Sequence, residues 1–261
     1  MIARGRVVVE ADGGGGSRLA CLRSEGPLVL RPTPDSVVHL VGGAGGPLGG
    51  DVLRIEIVVG AGAELTLRTV AAAVVLPGPG PSPRPSVVEI DASVGEGGRL
   101  RWLPEPTVAA AGCRHRSRAR VVVEAGGWLE WREELVRGRH REDGGSVSSR
   151  LSVDYGGRAL VRHLVEVGSD HPSWSSPSVG GGARCTGSLV VVDPAWADGA
   201  PGPEVLEGGM GAVLPLAGPA VHVVAVAPDA RTLRRLLDAG ASGLEKVRQE
   251  PLLVPRTAVN P

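Results

Sequence analysis

The chain has 261 residues, 28 basic and 28 acidic, so no net charge draws it toward nucleic acid or an anionic membrane. Apolar residues make up 42%, yet Phe is absent, Tyr occurs once and Gly 40 times, which favours close-packed Val-rich strands over a wide aromatic core. Cys21, Cys113 and Cys185 are odd in number and in no CxxC arrangement, which excludes a disulfide framework and a four-cysteine zinc site.

The start, MIARGRVVVEADGG, lacks the apolar centre of a signal peptide, and no apolar run approaches the ~20 residues that span a bilayer. A soluble cytoplasmic protein is expected. From there Val-rich runs separated by Gly and Pro predict strands at Val7–Glu10, Val37–Val41, Val52–Val59, Val87–Val94, Arg118–Glu124, Val147–Tyr155 and Val221–Ala227. Trp128–Val136 also fits a helical turn, but its place in a repeat assigns it to a strand. Pro77–Pro85 and Ala197–Gly209 are too rich in Pro and Gly for regular structure and are expected as exposed loops. Asp229 can cap a helix with Leu233, Leu236 and Leu237 on one face and Gly240 as its stop. Ser242 and Glu245 have capping-box spacing before a second short turn ending ahead of Pro251. The prediction is one domain over 1–261, with a β-rich body at 1–228 and a helical segment at 229–250.

Four segments repeat the pattern strand, glycine turn, strand: IVVGAGAELTL (57–67), ASVGEGGRLRW (92–102), VVVEAGGWLEW (121–131) and LSVDYGGRALV (151–161). Their turn glycines, Gly62, Gly97, Gly126 and Gly156, stand 35, 29 and 30 residues apart. A tight hairpin needs the positive φ that a Cβ penalises, so glycine belongs there. Near-constant spacing predicts stacked β layers, each burying its apolar face on the next.

Catalytic patterns are scarce. GxSxG and HExxH are absent, and Glu133 and Glu134, being adjacent on a strand, point to opposite faces and cannot share acid–base work. The glycine-rich stretch GGAGGPLGGD (42–51) has no Lys-Ser after its glycines, and Asp51 would repel a phosphate. A loop that brings backbone close to backbone fits it better, with Asp51 as a carboxylate at its mouth. In GRHREDGG (138–145), Arg139, Glu142 and Asp143 can form a buried ion-pair network, hold a cation with His140, or decorate a solvated turn. Cys113 and His115, two apart on a strand, can face one metal, though Arg114 and Arg116 oppose a cation.

Taken in order, the segments resemble the UreD (UreH) family of urease accessory proteins. The stretches that carry the resemblance are GGPLGGDVLRIEIVVGAGAELTLRTVAAAVV (45–75), WLPEPTV (102–108), GWLEWREELVRGRHRED (127–143) and HPSWSSPSVGGGARCTGSLVVV (171–192). Gly49, Gly50, Asp51, Gly138, Arg139 and Glu142 stand where the family pattern expects them. After Thr69 the chain departs from it: members carry Gln, Thr, Lys and an aromatic, whereas this sequence reads VAAAVVL (70–76). The resemblance implies an all-β, right-handed β-helix-like fold with a few short helices. It also implies a non-catalytic scaffold that binds a UreF-like helical accessory protein, a UreG-like GTPase and the urease apoprotein. No cofactor is then held stably; Ni²⁺ passes through in transit, with Asp51 and Glu142 as candidate residues of its path. Such a path must bind the ion weakly enough to release it. The competing reading is a β-helical carbohydrate-active enzyme, which would need aromatic platforms and facing acids; aromatics are 2% of the chain. A plain structural β protein is a third.

Overall fold

Alternating Val and polar residues from Ile2 onward form strands whose inner faces meet in one core. The structure, a computed structural model, describes residues 1–249 other than 35, 81–83, 207 and 209. In chain order the strands are β1 (Ile2–Ala11), β2 (Ser17–Ser24), β3 (Leu28–Thr33), β4 (Val37–Gly42), β5 (Val52–Val59), β6 (Glu64–Thr69), β7 (Ala73–Val75), β8 (Ser86–Val94) and β9 (Arg99–Leu103). They continue as β10 (Thr107–Ala109), β11 (Arg114–Val123), β12 (Trp128–Arg137), β13 (Ser146–Tyr155), β14 (Arg158–Val167), β15 (Cys185–Val192), β16 (Glu204–Val205), β17 (Gly211–Pro215) and β18 (Ala220–Ala227). Helix α1 (Ala230–Gln249) follows.

Two sheets result. The smaller runs β14-β13-β11-β8-β5-β1-β2, and the larger runs β16-β17-β18-β15-β12-β9-β6-β4-β3. Each has a parallel centre, β1-β5-β8-β11-β13 in one and β4-β6-β9-β12 in the other, flanked by antiparallel strands. The chain therefore winds from one sheet to the other and back, and each coil adds one parallel strand to both, as stacked layers require. On the small sheet's outer face, charges pair across neighbouring strands, Arg6 with Glu56 and Arg54 with Glu89. The arginines there serve the solvated face of a sheet, where opposite charges are worth tenths of a kcal/mol up to about 1 kcal/mol.

The four repeated glycines all have positive φ (+65°, +65°, +83° and +53°). Three of them do not make hairpins. Gly62, Gly97 and Gly126 turn the corner from β5 to β6, β8 to β9 and β11 to β12, between strands that lie in different sheets. Only Gly156 closes a hairpin, β13–β14. The corners stack on one another: a Cβ on Gly95 would lie 2.8 Å from the Ala61 nitrogen, so layers could not close up with a side chain there.

The inter-sheet core holds Ile57, Leu65, Leu67, Leu100, Leu129, Leu151 and Trp131, with Trp102 stacked on Trp131 at 5.3 Å between ring centroids. A second core lies on the outer face of the large sheet, where Leu233, Leu236, Leu237 and Leu244 of α1 cover Cys185, Leu189 and Val223. Asp229 caps α1 as expected, accepting hydrogen bonds from the Thr232 N–H at 2.8 Å and hydroxyl at 2.9 Å. Gly240 does not end it. The helix runs on as a single element through Ser242, and the end expected ahead of Pro251 lies outside the described residues. Gly240 serves close approach instead, because a Cβ there would sit 2.8 Å from Val223 Cγ1. Gly240→Val should therefore destabilise the fold by about 1–3 kcal/mol, from overpacking against β18; a urea titration showing no loss would contradict this packing. The Ala197–Gly209 stretch, expected as loop, includes the two-residue strand β16, while residues 207 and 209 lie outside the described residues. The same holds for 81–83 in the Pro77–Pro85 loop.

Candidate functional site

The inward-facing phase of β11 changes character along its length. Ala119, Val121 and Val123 pack in the core, but His115 and Ser117 precede them; on β13, Ser149 precedes Leu151 and Val153. The two serines are too short to fill the space between the sheets there, and His115 brings an imidazole to it. Opposite them the large sheet is interrupted twice, at residues 70–72 between β6 and β7 and at Pro104–Pro106 between β9 and β10. Proline cannot donate to a strand ladder, which accounts for the second break. Behind these breaks lies a cavity of about 420 Å³, lined on one side by Leu53, Ile55, Ile90, His115, Ser117 and Ser149 and on the other by Thr69, Trp102, Glu105, Glu133, Glu134 and Ser188. The VAAAVVL departure after Thr69 supplies part of this wall, so the lining there is apolar.

Glu133 is the acid inside. It lies in phase with Leu129, Trp131 and Leu135 and accepts hydrogen bonds from Trp131 Nε1 at 3.2 Å and Ser149 Oγ at 3.3 Å. Burial raises its carboxyl above the usual range, and those two donors only partly offset it. Glu134 takes the opposite face of β12, as adjacency predicts. Its side chain is fully buried, and Arg234 Nε of α1 donates to its Oε1 at 3.1 Å. Burial raises this carboxyl too, against the pull of Arg234 and Arg132. His115 also lines the cavity, with Nδ1 2.8 Å from Ser86 Oγ, and burial pushes its imidazole down to about 4. His163 lines the cavity from β14 and meets His222 of β18 edge-on, with ring centroids 4.8 Å apart.

Asp51 is buried at the cavity's edge. Its Oδ1 lies 2.7 Å from the amino group of Met1, and its Oδ2 accepts the Leu48 N–H at 2.9 Å. Burial works against its charge, but these two donors hold the carboxyl below the usual range. Gly49 and Gly50 shape the loop before it: a Cβ on Gly49 would lie 2.5 Å from the Gly78 nitrogen, and Gly50 has a φ of +92°. The loop thus brings backbone against backbone.

The 138–145 stretch is an ion-paired surface turn. Gly138 opens it at a φ of +75°. Arg139 then holds Glu142 through two side-chain bonds, at 2.7 and 2.8 Å, and its own N–H at 2.9 Å. The hydrogen bonds from Arg139 bring the Glu142 carboxyl down to about 2. Arg184 locks the turn from outside by donating to the carbonyls of Arg137, Arg139 and Glu142. Glu142 is not among the residues lining the cavity, and His140 is exposed. Cys113 packs in a separate apolar cluster with Val75, Ala109 and Trp174, where burial and then nearby Glu142 push its thiol up to about 11. Among the described residues, no three His, Cys, Asp or Glu side chains converge as metal ligands. Nor is any helix there long and apolar enough to cross a membrane.

The fold and site define a two-sheet β solenoid with an acid- and imidazole-lined cavity between its layers. Residues 2–258 match the family model described as UreD urease accessory protein. A urease accessory protein UreD of Parafrankia sp. (strain EAN1pec) is 41% identical, over 97% of this chain and 92% of that relative. A urease accessory protein UreD 3 of Streptomyces griseus subsp. griseus is 44% identical, over 90% and 94%. A UreD of Streptomyces avermitilis is 42% identical, over 93% and 97%. The chain belongs to the UreD family of urease accessory proteins.

Proposed function

We propose that this chain is a non-catalytic scaffold of urease maturation, working in the cytoplasm. It engages a UreF-like helical accessory protein, through it a UreG-like GTPase, and the urease apoprotein, and it conducts Ni²⁺ without keeping it. The observation that carries this reading is the cavity between the sheets, in which isolated oxygen and imidazole donors are spread along an otherwise apolar wall. One or two donors at a time hold a nickel ion loosely, and release is what a route requires. Asp51 at the cavity's edge and Glu133 inside are the carboxylates suited to it. Glu142 remains a candidate from the family pattern, but its charge is already matched by Arg139. Glu133 and Glu134 point to opposite faces of β12, which leaves that pair unsuited to glycoside hydrolysis.

Nickel-dependent urease activation, measured with Asp51→Ala, Glu133→Gln and Glu142→Ala in turn, tests the route. Activation should fall for Asp51→Ala and Glu133→Gln, and fall less for Glu142→Ala. Wild-type activation in all three would end the nickel part of the proposal. Co-purification with the helical accessory protein tests the scaffold part, and its absence would count against it.

A further inference from the structure

The outer face of the small sheet carries its charge in two different ways. Across β1, β5 and β8 opposite signs pair, Arg6 with Glu56 at 3.2 Å and Arg54 with Glu89 at 2.8 Å. Across β11 and β13 they do not. Arg116, Arg118 and Arg120 follow one another on the outward phase of β11, and Arg150 of β13 stands directly opposite Arg118. All four are exposed, and none makes an ion pair or side-chain hydrogen bond with any described residue. Nearby acids are engaged elsewhere: Glu89 by Arg54, Asp154 by Arg162, and Glu166 by Ser148 and His171. Asp91 of β8 lies opposite Arg120 without pairing to it, and one carboxylate cannot balance four guanidiniums.

Like charges directly opposite on neighbouring strands destabilise a sheet. Same-face residues of a strand are about 6.7 Å apart and neighbouring strands about 4.8 Å apart. The four arginines therefore repel within the screening length of about 8 Å at physiological salt. The chain holds as many acids as bases and sets partners beside other arginines of this same face. Repulsion kept in the folded chain is relieved by negative charge brought from outside. Leu164 of β14, 45% exposed and opposite Arg150, adds an apolar contact beside the patch. Tyr155, the one Trp or Tyr on β11, β13 and β14, packs against the inter-sheet core, so this face lacks a platform for stacking bases. We infer that Arg116, Arg118, Arg120 and Arg150 form a docking face for an acidic surface of a protein partner. Each guanidinium can take a carboxylate in its two-pronged geometry while Leu164 meets the partner's apolar side chains. This rests on the scaffold reading, to which it adds one docking face on the side of the molecule away from α1.

The test is biolayer interferometry of the full chain against the UreF-like protein, the UreG-like GTPase and the urease apoprotein, each alone. At least one should bind wild type, with an affinity that falls as salt rises from about 50 to about 300 mM. Arg118→Gln combined with Arg150→Gln should weaken that binding at least about tenfold. Arg6→Gln combined with Arg54→Gln removes the same charge from the paired half of the face and should change it less than about twofold. In urea titrations the Arg118→Gln, Arg150→Gln variant should be as stable as wild type or more so, because a repulsion is gone. A lowered urea midpoint would give these arginines a structural role and overturn the face. Wild-type binding that this variant leaves unchanged also overturns it, while the scaffold reading stands. Failure of all three proteins to bind wild type sinks the scaffold reading and the face with it. A single-stranded oligo(dT) that binds more tightly than any of them, and is released by the same variant, reassigns the face to nucleic acid.

Discussion

Trp131→Ala should cost about 3–5 kcal/mol of folding stability, the range for deleting a large side chain from a core that cannot collapse around the hole. Trp131 has no exposed surface and stacks on Trp102 between the two sheets. Neighbouring layers are fixed by continuous parallel ladders on both sides, β9–β12 in one sheet and β8–β11 in the other, so neither can shift inward to fill the space. Trp131 also donates to Glu133, so the change strips a buried carboxyl of one of its two partners. Trp131→Phe separates the effects: it keeps most of the packing, loses the donor, and should cost less. Urea titrations followed by far-UV circular dichroism give both numbers. A loss below about 1 kcal/mol for Trp131→Ala would mean that the sheets do not close over this residue.

The layered architecture was legible because two local signals agree along the chain. Period-two alternation marks which face of each strand is buried, and glycine marks where the chain must turn. The turns themselves were harder to read. A hairpin and a corner between sheets demand the same positive φ, so Gly62 and Gly156 look alike in sequence although one changes sheets and the other does not. What separates them is which strands pair, and that depends on residues about thirty positions away. Gly240 is ambiguous for a related reason: a glycine after an apolar stripe can stop a helix or admit a neighbour, and here, inside α1, the missing Cβ admits Val223.

The site was legible in part. Asp51 does reach the cavity, and the glycine loop before it does bring backbone against backbone. Glu133 is hard to recognise in the sequence because it stands beside Glu134 as one of two adjacent acids on a strand. The signal for it was present: in WLEWREEL it falls in phase with Leu129, Trp131 and Leu135, and an acid on an apolar phase has to be paid for by donors. His115 and Ser117 break the apolar phase of β11 in the same way. The clasp of Arg234 on Glu134 joins positions 100 residues apart and has no local trace.

Acid should unfold this protein through two histidines. Burial pushes His115 down to about 4, and burial with the neighbouring His163 does the same to His222. Unfolded, both titrate near the usual 6.5. Between those values the unfolded chain binds more protons than the folded one, so stability rises with pH across the window. The contribution is fully present above about pH 6.5 and is lost as pH falls toward 4, at roughly 3 kcal/mol for each histidine. Glu133 and Glu134 act the other way: their carboxyls are raised by burial, so acidification relieves a cost in the folded state. The net slope of the wild type therefore mixes the two, and a difference between variants isolates the histidines. Glutamine at 115 can still reach Ser86 Oγ, which now lies 2.8 Å from His115 Nδ1, but it takes up no proton. From about pH 7.5 to 4, wild type should lose roughly 3 kcal/mol more than His115→Gln in urea titrations at each pH. Parallel curves would mean that His115 is already protonated, or hydrated, inside the cavity, and a cavity wet enough to charge it would weaken every donor along the wall.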